Sequence, residues 1–481
     1  MAKLRLKFLD KDEEDLVHSQ SIRSLETIGV KIHSDSVLNM LKDAGAVVDI
    51  KTQIAKIPES MVKDAISKAP KSFTIGSRDG KHDIKLPAET WPYVSLGGVT
   101  AWLEDYKTMK HLDATREDLG RLTKIGDAMN AVDAIWPLVT VRDVPPHAGF
   151  VNELWTSFQN TTKPIHGSAG SGTVGVPDAK VQIQLGALIA GGMEQLKKKP
   201  TFTVLSCIVA PLSFEKGCVE AQVEYAKAGI PVISMSMSLG GSTCPATIAG
   251  TVVNANTENL ASLVITQTAS PGAPHIYSSE SSLINPRTGF IEYRSAETPL
   301  IYAACAQMAS RYGLPNMTGC MGIDAFPTGN PTTFGETAAM LMTTLNGTDL
   351  CSGVGGLDED AGCSAEQIVI DSFIWEDFRM FMRKFEISEK QAALDVMAEV
   401  GQGNNFLTHK HTVTNFRKEI YFRDKKMQLY GATVSTKMRE DAHKIVEKIL
   451  REHVVPELDK DILQKGAEII KNYEKNPPAH L

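Results

Sequence analysis

The sequence has no CxxC pair, no P-loop, no extended basic patch and no apolar run long enough to span a bilayer. Each absence removes a class of function. The seven cysteines are scattered and odd in number, so reduced thiols in a cytoplasmic protein are expected, not a disulfide framework. A net charge of −7 over 481 residues is mild, and without a basic patch nucleic acid is not an expected partner. A membrane is not expected either, and Met1 to Glu13 holds no apolar core before Asp10 that would read as an export signal. No GxGxxG follows the first apolar strand signal, which weighs against a doubly wound dinucleotide-binding sheet.

What the chain does have is one repeated unit. From Pro315 to Glu359 a small-residue run, Asn316–Gly322, leads into a Gly/Pro-punctuated loop, Asp324–Pro331. A capping box at Thr333 and Glu336 then opens a helix with Ala338, Leu341, Met342 and Leu345 on one face. Asn346-Gly347 ends it, and a second buried strand, Leu350–Val354, follows. Strand, helix and strand in that order predict a parallel βαβ unit.

Eight such runs occur: Tyr93–Val99, Ile135–Val141, Lys163–Gly167, Thr201–Ile208, Pro231–Met237, His275–Ser279, Asn316–Gly322 and Leu350–Val354. Helix-length segments such as Arg116–Met129, Val181–Ala190 and Ala296–Arg311 lie between them. Eight strands in about 260 residues predict a (β/α)8 TIM barrel, which needs ~250. Residues 1–90 read as an α+β cap, with a hairpin turning at Asp79-Gly80, 91–362 as the barrel and 363–481 as a helical extension. In that extension Ala442, Ile445, Val446, Ile449, Leu450 and His453 mark one helix face, to be covered by the barrel or by a second copy in a homo-oligomer.

A parallel barrel places its chemistry just after the strands. That position selects Trp91 and Tyr93 near the first strand, Arg142-Asp143, His166, Cys207, Met235 and Met237, Glu280, then Asp324, Phe326 and Phe334, and finally Asp358–Asp360. Several of these have a purely structural alternative. His166 ends an apolar strand and reads equally as a core histidine, Arg142-Asp143 as a loop-fixing pair, and the methionines as packing. Asp358–Asp360 reads in part as a solvated acidic loop. Glu280, in YSSESS directly after a strand, must face the mouth or be paired. No metal site is expected. His409 and His411 are two apart, not at the i, i+4 spacing of a helical zinc pair, and read instead as partners of the barrel loops or of a helix end at Thr414. Cys320 and Cys351 fall before their strand ends, as core residues would.

The blocks GID, FGE, NGTDLCSGVGGLDEDAGCSAEQIVID and VGQGNNFLTHKHTVTNFR resemble those of the trimethylamine methyltransferase (MttB) superfamily over nearly the whole chain. The resemblance implies a TIM-barrel enzyme that moves a methyl group from a methylated amine to the cobalt of a separate corrinoid protein. Trimethylamine enzymes of that family carry pyrrolysine in the loop after the seventh strand. Here that loop is Asp324–Asn330 and has none. Members without pyrrolysine resemble demethylases of quaternary amines, which implies glycine betaine as the first substrate to consider. Proline betaine, carnitine and γ-butyrobetaine stand beside it. No tightly bound cofactor is implied, the acceptor being Co(I) cobalamin on the partner. On this reading Tyr93, Phe326 and Phe334, with Trp91 behind them, are candidates for an aromatic cage. His166 or Arg142 would bind the substrate carboxylate, and Glu280 and Asp324 are the candidate catalytic carboxylates. A zinc-dependent methyltransferase on the same barrel and a non-catalytic betaine-binding protein are the two other readings.

Overall fold

The computed structural model describes residues 6–169, 172–293, 295–319, 328, 334–419 and 434–479. Seven parallel strands form its centre: β1 (Tyr93–Leu96), β2 (Ile165–Ala169), β3 (Phe202–Ile208), β4 (Val232–Ser236), β5 (His275–Ser279), β6 (Asn316–Gly319) and β7 (Leu350–Val354). They pair in the spatial order β1-β7-β6-β5-β4-β3-β2, and β7 returns to β1 with Leu350 opposite Tyr93.

The gap between β1 and β2 is filled by the eighth run, Ile135–Val141, though not as a regular strand. Ser95 bridges to Ala134, Ile135 to Ile165 and Thr100 to Val139, each as a single parallel contact. Pro137 has no N–H to donate. The Trp136 indole meanwhile fills the space that a Cβ at Gly98 or Gly167 would occupy. The sheet closes into an α/β TIM-type barrel through this irregular eighth member. Val94, Leu96, Ile135, Ile233, Met235, Ile276, Met317 and Leu350 belong to one buried cluster with the surrounding helices.

The helical ring follows the sequence signals. Thr115 and Asp118 form a reciprocal capping box at Arg116–Ala128, and Ser364 caps Ala365–Phe381 through the Gln367 amide. In Phe334–Asn346 the buried residues include Ala339, Met340, Thr343 and Thr344, while Ala338, Leu341, Met342 and Leu345 are only half-buried. The apolar stripe thus points one position away from the core-facing side, where Thr343 lies beside Thr318 of β6. The Thr333 end of its expected capping box lies outside the described residues.

The antiparallel pair Phe73–Ile75 and Ile84–Leu86 turns at Gly80 (φ +70°) and covers the amino end of the barrel, the Gly76 amide donating to Pro200 O (2.7 Å). The small sheet of Val30–Ile32, Val47–Asp49 and Ile54–Lys56 takes in Ser213-Phe214 from the loop after β3. Val434–Glu452 lies on Ala365–Phe381 and Arg116–Ala128, with Ile445, Ile449 and Leu450 packed against the barrel cluster. That helix face is therefore used within the chain. Among the described residues no helix is long and apolar enough to cross a membrane.

Candidate active site

The carboxyl ends of the strands carry two carboxyl groups, on the half-buried residues Glu280 and Asp360. Glu280 directly follows β5. Its amide donates to Ser236 O (3.0 Å) and its Oε1 accepts from the Ser352 hydroxyl of β7 (2.7 Å). Gly319 at the end of β6 leaves it room, because a Cβ there would come within 3.3 Å of the Glu280 carboxyl carbon. Burial raises the Glu280 pKa above the ordinary glutamate range.

Asp360 comes from the loop after β7. Asp358, Glu359 and Asp360 all have left-handed backbone, φ +53°, +59° and +62°. Such residues cost on the order of 1 kcal/mol each outside glycine, and strain of this kind concentrates at functional sites. The turn sends the Asp360 carboxyl back over the barrel. Its Oδ1 lies 2.9 Å from where a Cβ on Gly97 would stand, and against Gly356 as well. The Gly98 amide donates to the carboxylate. Burial first, and the Glu280 charge second, push Asp360 well above the ordinary aspartate range. Oδ1 is buried with no hydrogen-bond partner among the described residues. No lysine, arginine or histidine among those residues acts on either carboxyl group.

The block GVGGLDEDAGCSAEQIVID is the scaffold of this arrangement. Asp371 accepts from the Gly355 amide (2.8 Å) and from Gln367 Nε2 (2.7 Å), while burial pushes its carboxyl up to about 8. A serine network fixes the other side. Ser236 donates to Glu258 (2.6 Å), Ser281 to Ser236 O (3.3 Å) and Ser279 to Ser281 (3.0 Å), so the YSSESS turn that aims Glu280 is bonded within itself and to the end of β4.

Cys207 and Met237 complete the opening. Solvent reaches both, but enclosure by protein, with Glu280 contributing, pushes the Cys207 thiol up to about 12. It stays protonated and is a poor thiolate ligand. No group of three or more histidine, cysteine or acidic side chains suited to a metal ion occurs among the described residues.

The structure divides the sequence-selected residues sharply. Glu280 stands in the mouth. Tyr93 is the first residue of β1, at the opposite end of the barrel, where its amide donates to Asp349 O (2.8 Å); Trp91 lies there too, under the Arg379 guanidinium (5.5 Å). A residue that precedes a parallel strand sits at the amino end, so neither ring is part of a cage at the mouth. Arg142 is exposed, and Asp143 pairs with Arg116 (Nε, 3.1 Å), not with its neighbour. His166 is a core histidine, 1% exposed. One ring nitrogen meets Thr203 Oγ1 (3.1 Å) and the other Met317 Sδ (3.2 Å), and burial lowers its pKa to about 3. Asp324 and Phe326 lie outside the described residues, and of Phe334 only the backbone, opening its helix, is described. Met235 is buried. His409 bonds Glu399 (3.1 Å), not a barrel loop.

The sequence selects Asp358–Asp360 together as the loop after the last strand, and the structure singles out Asp360 among them as the carboxyl group that folds back over the barrel. Trp136, whose ring lies at 83° to that of His166 (6.3 Å) and stands against Gly98, is read in the sequence only as part of the Ile135–Val141 strand.

A family model described as trimethylamine methyltransferase (MTTB) matches residues 2–476. The chain belongs to the MTTB family. Within it, the chain is 28% identical to trimethylamine methyltransferase MttB of Desulfitobacterium hafniense over 465 residues, 96% of this chain and 88% of that protein. It is 29% identical to MttB of Methanosarcina barkeri, covering 98% and 96%. A glycine betaine methyltransferase of D. hafniense is 27% identical over 460 residues, 94% of each chain. Among solved structures, the monomethylamine methyltransferase MtmB of M. barkeri superposes with a TM-score of 0.50 over 93% of this MTTB-family chain and 96% of its own, at 14% identity. That likeness concerns the barrel fold alone.

Proposed function

We propose that this MTTB-family chain transfers a methyl group from a quaternary amine to the Co(I) of a cobalamin held by a separate corrinoid protein. Glycine betaine is the first substrate, dimethylglycine the product. The observation that carries the reading is the pair Glu280 and Asp360: two carboxyl groups at the strand ends with no cation beside them among the described residues. A quaternary ammonium supplies the missing charge. The 27% identity to a glycine betaine methyltransferase and the absence of pyrrolysine from the sequence support the substrate class.

The chemistry asks little of the protein in proton transfer. The electron pair of Co(I) forms the cobalt–carbon bond, the carbon–nitrogen pair goes to nitrogen, and a neutral tertiary amine leaves. No general acid is required. What remains is to hold nitrogen, methyl and cobalt in line and exclude water. Because the positive charge on nitrogen falls during transfer, a carboxylate in tight contact would favour the ground state. Glu280 and Asp360 serve best as a field across the mouth, anchored by Ser352 and Gly98, with the Trp136 ring behind them as a softer partner for N-methyl groups.

The test is the visible spectrum of Co(I) cobalamin mixed with this protein and, in turn, glycine betaine, proline betaine, carnitine, γ-butyrobetaine and trimethylamine. Loss of the Co(I) band with a quaternary amine and not with trimethylamine is the expected result. Loss with trimethylamine alone, or a silent panel when a corrinoid protein is also present, overturns the proposal.

A further inference from the structure

Between the mouth and the outer helices runs a chain of contacts that the chemistry above does not use. Trp102–Glu104 lies parallel to Gly362-Cys363, with Trp102 opposite Gly362 and Leu103 opposite Cys363. Gly362-Cys363 in turn folds back antiparallel on Gly356-Leu357. The turn bearing Asp360 is therefore the bend of a small sheet whose next strand ends on Glu104. The Glu104 side chain is fully buried. One of its oxygens accepts from the Thr328 amide (3.2 Å) and the other from Arg439 Nη2 (3.3 Å). The Thr328 hydroxyl donates to Ser364 Oγ (2.7 Å), and the Ser364 amide donates to Gly355 O (3.2 Å).

Thr328 belongs to the connection after β6, and Asp360 and Ser364 to the connection after β7. Loops in those places carry the chemistry of a parallel barrel, and here two of them are tied together at Thr328. The cation comes from outside the barrel. Arg439, on the outer helix Val434–Glu452, lies over the Tyr106 ring (4.5 Å) and donates to Tyr106 O (2.5 Å) as well as to Glu104. His443, one turn further on, stacks on the same ring (3.5 Å, 2°) and bonds Glu366 (2.7 Å). A carboxylate taken fully out of water is costly unless a cation and hydrogen-bond donors meet it. An apolar residue at 104 would pack without that cost, but it could not hold an amide, and an ionised acceptor holds one about twice as strongly as a neutral acceptor.

We infer that Glu104 and Arg439 are positioning residues for the amine site: Arg439 supplies the charge that lets Glu104 stay buried, and Glu104 pins Thr328 beside the Asp360 turn. The link to amine binding rests on the function proposed above, while the clamp itself does not. An outer helix with no residue in the mouth thereby sets the geometry of two mouth loops.

Hydrogen exchange at the Thr328 amide, read by mass spectrometry on the full-length protein, follows the clamp with no amine present. Arg439→Met leaves Glu104 buried without its cation and is expected to speed that exchange by at least about tenfold. Glu104→Gln keeps an acceptor of the same shape and is expected to speed it by only about fivefold; it leaves no buried charge, so the test stays readable if Arg439→Met does not fold. In the double variant the rate should return to the Glu104→Gln value, a rescue that lost packing at Arg439 cannot produce. Arg451→Met, on the same helix with its guanidinium exposed beside Glu452, should leave the rate unchanged. Titration calorimetry with glycine betaine is expected to follow the same order, affinity falling on the order of tenfold in Arg439→Met and recovering in the double variant. An unchanged Thr328 rate in both single variants, or a double variant as fast as Arg439→Met, overturns the clamp. Faster exchange with unaltered amine affinity overturns its role at the site. If no quaternary amine binds the unaltered protein, the proposed function falls, and the exchange rates still decide the clamp.

Discussion

At the scale of single residues, Glu280 and Asp360 tie binding to pH. Both carboxyl groups are raised by burial, and an arriving cation works against that shift. Cation binding stabilises the ionised form. Affinity for a quaternary amine is therefore expected to increase as pH rises above the ordinary carboxylate range, by at most about tenfold per unit for each proton released. Asp360→Asn should flatten that slope and weaken binding by on the order of tenfold, with Glu280→Gln similar. Titration calorimetry across pH checks both. Glu153 behaves as a pure stability probe. It is buried, accepts only a long bond from the Val141 amide (3.3 Å), and burial raises it to about 8. A carboxyl raised in the folded state favours folding below its unfolded pKa, and that contribution is lost as pH climbs towards 8. Glu153→Gln keeps the acceptor and cannot ionise. Its urea midpoint should exceed that of the unaltered protein at pH 8.5, by on the order of 1–3 kcal/mol in stability, with the gap closing near pH 5. Glu280 was legible in the sequence because a carboxylate directly after a run of small residues has few places to go. Asp360 was legible only as one of the run Asp358–Asp360, since three successive left-handed residues leave no trace in spacing that would single it out. Tyr93 misled because strand direction, which sends it to the wrong end, matters more than proximity to a strand.

At the scale of elements, the mouth depends on glycines that leave space for side chains from other strands. Gly97 ends the first strand, and a methyl group there would stand 2.9 Å from Asp360 Oδ1 and 3.4 Å from Leu138 Cδ1. Gly97→Ala is expected to displace Asp360 and reproduce the binding loss of Asp360→Asn, while stability changes by less than about 2 kcal/mol. Calorimetry and urea unfolding on the same variant separate the two effects. A substitution that lowered stability without touching affinity would show that Asp360 is not part of the site. Seven strands were readable from their apolar runs because each is buried on both faces. The eighth, Ile135–Val141, read as a strand too, but its pairing is broken by Pro137 and by the Trp136 ring, and such accommodation between strands is a property of packing. The helix start at Arg116 was legible in the sequence, and in the structure the Thr115 capping box fixes it, whereas the Asp10 capping box that opens Lys11–Thr27 was not read.

At the scale of the molecule, the C-terminal helices decide which surfaces remain open. Their amphipathic faces were visible in the sequence, but what each face would meet was not, since a stripe of Ile445, Ile449 and Leu450 fits a barrel wall as well as a second copy. The last helix, Lys460–Lys475, docks on Gly149–Asn160 and Val176–Ala190. Its Gly466 faces the Trp155 ring so closely that any Cβ would overlap the indole, and His147 binds Tyr473 O (3.1 Å) at its far end. Gly466→Ala must push the ring or the helix outward, at about 1–3 kcal/mol, enough to lower the melting temperature by a few degrees in a chain of this size. The helix lies on the outer layer, so the loss should appear first as local release. Limited proteolysis is expected to cut between 453 and 460 in the variant before the barrel is touched, while amine affinity at Glu280 and Asp360 stays at its unaltered value. Loss of affinity together with helix release would instead mean that the outer helix and the mouth unfold as one unit.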